Sequence, residues 1–248
     1  MKETFKSSRV YQIAIILLVG GIGIFIWWRL RWYTPVKKTS QENDAIQEAD
    51  PPSNHAKAKI EAKSLQPVTE GTGPHYYRHY SAAIANPVLT AFELLQLIHT
   101  DINQFIPQEI ASFKKSRGHA ESIQEGDEFD IQIVGPWNGP VHVIDVSDTS
   151  ITLATKEGHL EAGEITFQIR PLPSYQAQQV EGYMFEIISS ARSSNMLVDI
   201  FYDKLGVAKK VQASMWTFFC QRIVEESGGE LVDKIKVSTE RTPVEDDS

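Results

Sequence analysis

The stretch TKEGHLEAGEITFQI, residues 155–169, sets His159, Glu161 and Glu164 within six positions of one another. An imidazole and two carboxylates that close could coordinate a metal ion or exchange protons with a substrate. A metal site, however, needs converging ligands fixed by a second shell, and here one loop would supply them all. Glu164 opens an alternating run, so it faces solvent if its neighbour Ile165 faces a core. Gly158 and Gly163 frame the group and allow the unusual backbone angles of a tight turn. The stretch fits the polar tip of a hairpin. A rim contact at a pocket mouth is the functional alternative, and a metal site is the weaker one.

Three other polar or aromatic positions could meet a ligand. Arg192, in SSARSS, lies where a strand gives way to a long helix. It is either a surface charge or an arginine at a cavity mouth, gripping a carboxylate or phosphate. Trp137, in GPWNGPV, either packs on a sheet end or reads a ligand; Asn138-Gly139 beside it is a two-residue hairpin signal. Ser193 or Ser194 reads as a helix cap. No serine sits in a nucleophile elbow, and Cys220 falls in an apolar stripe, as core cysteines do.

The elements around these residues follow from periodicity. YYRHYSAAIAN reads as a strand ending at Asn86-Pro87. PVLTAFELLQLIHTDINQF then has helical spacing, with Asn86 as N-cap and Pro87 at the first helical position. Pro107 divides it from a second short helix. After Gly126 the period falls to two, in runs around Phe129–Ile133, Val141–Val146, Ile151–Leu153, Ile165–Ile169 and Gly182–Ala191. The second run slips phase near Ile144, as at a bulge. Short polar joints make this an antiparallel meander. Leu197, Phe201, Leu205, Val211, Met215, Phe218 and Phe219 stripe a long last helix that Gly228-Gly229 ends.

The fold class is therefore α+β: an antiparallel sheet, expected to be curved, whose apolar face is covered by a long C-terminal helix, although the pattern alone also allows a flat sandwich with no cavity. Phe185, Ile187, Phe201, Met215, Trp216 and Phe219 would line either a plain core or a cavity beneath that helix. Tyr202 and Trp216, at the edge of the stripe, are the expected pocket residues.

The amino-terminal part differs. VYQIAIILLVGGIGIFIWW, residues 10–28, is uncharged and at ~1.5 Å per residue approaches the ~30 Å hydrocarbon core of a bilayer. Trp27, Trp28, Trp32 and Tyr33 suit an interfacial belt. The run is too long, and its flank too bulky, for a cleaved signal peptide. Lysines and arginines lie on both sides, so membrane orientation stays open. The expected organisation is a basic tail at 1–9, a single-pass anchor and belt at 10–32, a flexible polar spacer at 33–73, the folded domain at 74–227 and a loose acidic tail at 228–248.

The whole chain has a net charge of −8, while residues 1–38 carry +6, leaving −14 on the rest. A body that acidic repels a phosphate backbone, which argues against nucleic acid as a partner. With one cysteine there is no intrachain disulfide and no cysteine-rich zinc site, and no cofactor or metal is indicated.

This order of elements, with GPWNGPVHVIDV, TLATKEGHLEAGEITFQI, FEIISSARS and AKKVQASMWTFFCQRI, resembles the helix-grip superfamily of START-like and polyketide-cyclase-like (SRPBCC) domains. Within it the strings look like the family catalogued as domain of unknown function nineteen-ninety. The likeness covers roughly Tyr76 to Val224. It implies a domain that binds a small apolar or amphipathic molecule between sheet and helix, here tethered to the bilayer through residues 10–28. Ligand contacts would then come from Trp137, His159, Phe185, Arg192, Tyr202 and Trp216. A cyclase or hydrolase using His159 or a glutamate with Arg192 is the first alternative. A non-catalytic interaction module at the membrane is the second.

Overall fold

The structure is a computed structural model that describes residues 37–40, 64–133, 138–172, 181–194 and 207–242. The anchor at 10–28, Trp137, Tyr202 and the start of the long helix lie outside the described residues. Among the described residues, no helix is long and apolar enough to cross a membrane.

Among the described residues, ten strands form one sheet, in the order β1-β10-β2-β8-β7-β6-β5-β4-β3, with β9 pairing to β2 off this path. They are β1 (Lys37–Ser40), β2 (Thr72–Ala85), β3 (Ala111–Arg117), β4 (Glu128–Ile133), β5 (Asn138–Val146), β6 (Ser150–Thr155), β7 (Glu161–Pro171), β8 (Gly182–Ser193), β9 (Glu230–Leu231) and β10 (Lys236–Thr242). β3 to β8 pair antiparallel in sequence, as the alternating runs predict, and β8 closes on β2. The register shifts between Val143 and Asp145, where the phase slip at Ile144 predicts a bulge.

Helices α1 (Ala91–Thr100) and α2 (Val207–Ser227) lie against one side of this sheet. Inner-face positions on β7 and β8 meet α2 directly. Phe219 stacks on Phe185 at 5.8 Å and on Phe105 at 5.2 Å, and lies 5.2 Å from Phe167. Cys220 is fully buried in the same core, and burial raises its thiol's pKa. The curved sheet and long C-terminal helix are the helix-grip architecture.

Four local expectations need correction. Asn86 does not cap a helix: it sits in the left-handed region, at φ 49°, and turns the chain out of β2. The helix starts later, at a capping box in which Thr90 accepts from the Glu93 N–H and Glu93 accepts from the Thr90 N–H. After Pro107 comes a turn and then β3, where a second helix was expected. Ala111 and Phe113 point inward in alternation, a period of two concealed by the preceding helical run. Asn138 and Gly139 do not form a hairpin turn. They open β5, opposite Gln132 and Ile131.

The chain ends also differ from expectation. Lys37–Ser40, inside the expected spacer, pair in parallel with β10. From Ser64 the described chain forms a 3-10 turn at Val68–Glu70 and an isolated bridge between Leu65 and Lys156. Beyond Gly228, β10 pairs with β2 over seven residues instead of hanging loose, because Val237 and Ile235 have a core to enter.

Candidate functional site

Alternation along the central strands separates two polar groups of residues. On the inner face, β7 presents Glu161, Gly163, Ile165, Phe167 and Ile169 in turn, opposite Ser193, Ala191, Ser189, Ile187 and Phe185 of β8. β2 continues the rows with Tyr76, Arg78, Tyr80 and Ala82. One end of this face is therefore aromatic and aliphatic. The other carries Arg78, Glu161, Ser189 and Ser193, all largely withdrawn from solvent.

Arg78 is only 5% exposed, and its Nη1 donates to Glu161 Oε1 at 3.3 Å. Its guanidinium also lies 4.9 Å over the Tyr76 ring. A buried arginine needs such partners, since an isolated charge taken from water is costly. Tyr80 is next on the inner face. Burial raises its phenol's pKa. Trp216 packs edge-on against Phe167 at 5.6 Å and is 5% exposed, yet its indole N–H has no acceptor among the described residues. An unmade hydrogen bond at a buried donor costs ~1–3 kcal/mol and marks a place where an acceptor would be welcome.

The predicted site residues separate. Phe185 is wholly buried beneath Phe219 and belongs to the packed core. Arg192 occupies an outer-face position opposite Ala162, and its Nε donates to the Gly73 carbonyl at 2.9 Å. The expectation of an arginine at the cavity mouth therefore fails for Arg192. The inner-face arginine is Arg78, hidden in YYRHYSAAIAN because a charged residue in an apolar strand reads as solvent-facing.

His159 sits in the turn before β7, half-buried, with its Nδ1 accepting the Glu161 N–H at 2.9 Å. The same Nδ1 lies 2.9 Å from the Glu161 carbonyl oxygen, and burial lowers the ring's pKa against the pull of Glu161. Its edge packs on β5, where a Cβ added at Gly139 would lie 2.7 Å from the ring. Glu164 is on the outer face, and burial raises its carboxyl's pKa. The three residues of the original cluster thus part company: a turn-locking imidazole, an inner-face carboxylate and an outer-face carboxyl. Among the described residues, no group of three metal-ligating side chains forms. His159 and Arg192 point from a turn and from the opposite face, so they do not converge on a common reacting atom.

On the outer face, Glu186 is held by its own sheet. His79 Nε2 lies 2.9 Å from one oxygen, and Gln168 donates to the other at 2.9 Å. Arg170 spans both oxygens. Burial opposes ionisation of Glu186, but these bonds outweigh it and hold the carboxyl at about 2.

No family model and no curated protein matches the chain. Several solved structures are similar. The di-domain ARO/CYC StfQ from the steffimycin biosynthetic pathway is 12% identical over 65% of this chain, with TM-score 0.44; the chain spans about half of its length, 52%. Norcoclaurine synthase from Thalictrum flavum, in complex with dopamine and hydroxybenzaldehyde, is 11% identical over 74% of this chain and 98% of its own, with TM-score 0.41. Major latex-like protein 151 from Panax ginseng is 14% identical over 60% and 98%, with TM-score 0.39. Similarities this low leave ligand and chemistry to be read from this chain's own residues.

Proposed function

We propose that the protein is a membrane-tethered helix-grip domain that binds a small amphipathic molecule on the inner face of its sheet. The observation that carries this reading is the buried Arg78–Glu161 pair on a face that is otherwise core. Replacing such a pair by apolar residues is often neutral or stabilising, so its presence suits a polar ligand group better than it suits stability. The ligand's apolar body would lie toward Phe167 and Trp216, and an acceptor on it would satisfy the Trp216 indole N–H. The tether is the uncharged run at 10–28 with its aromatic belt. The strings GPWNGPVHVIDV and TLATKEGHLEAGEITFQI, which resemble the family catalogued as domain of unknown function nineteen-ninety, suit the same reading.

The test is a titration with anilinonaphthalene sulfonate as an amphipathic probe, comparing the native chain with the double variant Arg78→Met/Glu161→Leu. Saturable binding that the double variant weakens at least tenfold is expected. Equal binding by both chains would place the probe elsewhere and sink the site.

A further inference from the structure

The place where β1 joins the sheet points one end of the domain at the bilayer. β1 runs parallel to β10, with Lys37 in register with Lys236. The chain therefore arrives at β1 from the end of the sheet where β2 finishes and β9 pairs with Ile84 and Ala85. Only eight residues separate Trp28, the last of the apolar run, from Lys37. Fully extended they reach about 30 Å, whereas the 41 residues expected as a spacer at 33–73 could reach roughly 140 Å.

The same end carries the large apolar side chains that the described residues leave in solvent: Val88 (79%), Phe92 (52%), Val232 (42%) and Leu231 (37%). They are neighbours in the fold. The Val88 N–H donates to the Ser227 carbonyl, a Cβ at Gly228 would meet the Val88 side chain, and the Val232 N–H donates to the Ala83 carbonyl. Phe92 is in the first turn of α1, just after Val88. Lys234 lies in the same turn, and Lys236 opens β10 beside it, 3.9 Å from Asp233. Apolar side chains with nearby lysines suit a lipid interface, where the chains enter the acyl boundary and the cations meet headgroups.

We infer that this end, with Val88, Phe92, Leu231 and Val232, lies against the membrane surface, held there by β1 as a short strap. The inference rests on the tether reading above. It differs from a domain carried far from the membrane on a long spacer, because the strap fixes both distance and facing.

The test uses the full chain in phosphatidylcholine vesicles containing doxyl-labelled lipid. A nitrobenzoxadiazole probe is attached through Val232→Cys in one preparation and through Lys114→Cys, exposed on the far edge strand, in another. Cys220 is buried and stays unlabelled. Strong quenching is expected at 232 with little at 114, and a twenty-residue Gly/Ser insertion after Val36 should cut the quenching at 232 at least twofold. Equal quenching at the two sites, no quenching at 232 in vesicle-bound chain, or quenching indifferent to the insertion overturns the inference. The second of these leaves the patch open to a protein partner. A chain that fails to sediment with the vesicles overturns the tether itself, and with it this inference.

Discussion

The two ends of the sheet's inner face are built from the same strands and differ in what fills them. At one end Phe105, Phe167, Phe185, Trp216 and Phe219 interlock at centroid distances of 5.2–6.1 Å. At the other, Arg78 and Glu161 occupy positions that hydrophobic residues could fill at lower cost. The first end serves stability, and only its Phe167–Trp216 margin faces the ligand proposed above. The second gives up apolar burial to keep a charge pair inside, and the proposed binding rests on that asymmetry.

The comparison breaks first at the aromatic end. Phe219→Ala removes the ring that four others touch and should cost about 3–5 kcal/mol, read by urea denaturation of the native and variant chains. A loss under 1 kcal/mol would mean that the cluster is not the domain's keystone.

The polar end should answer differently to single and double substitution. Arg78→Met alone leaves a buried Glu161 charge without its arginine and should cost roughly 3 kcal/mol, whereas Arg78→Met/Glu161→Leu should return to within about 1 kcal/mol of native stability. If the double variant is as unstable as the single one, the pair is structural and the contrast between the ends disappears.

Glu186 on the outer face is a control for buried charge without a binding role. Its folded pKa of about 2 lies below the unfolded value near 4.5, so its contribution is complete above that value and is lost as pH falls toward 2. The contribution is on the order of 3 kcal/mol. Glu186→Gln should flatten the stability curve between about pH 5 and pH 2 while probe binding at neutral pH stays unchanged. An unaltered acid limb would show that other carboxylates dominate it. The smallest effect is local: Thr90→Ala opens the capping box of α1 and should cost about 1 kcal/mol in the same denaturation assay, without touching probe affinity.

Much of the meander was legible, because a period of two in Phe129–Ile133, Ile165–Ile169 and Gly182–Ala191 admits little else. β3 was not, since IPQEIASF follows a helix and is too short to show its own period. β10 was hidden by its charge: Lys236, Glu240 and Arg241 read as tail, although a strand next to the sheet's edge, flanked beyond Thr239 by no partner but β2 among the described residues, tolerates them. The site was less legible than the fold. His159 and Arg192 attracted notice as polar residues at loops, but a turn hydrogen bond and the strand's alternation claim them. Arg78 is the converse, a charge whose partner lies 83 positions away at Glu161 and whose burial only the register between β2, β8 and β7 reveals.

The central claim is that the polar end of the inner face holds a small molecule. Native mass spectrometry of the full chain released from detergent tests it most directly, run beside Arg78→Met/Glu161→Leu. The account predicts a discrete mass increment on the native chain that the double variant lacks. A native chain with no bound species, or the same increment on both chains, would contradict it.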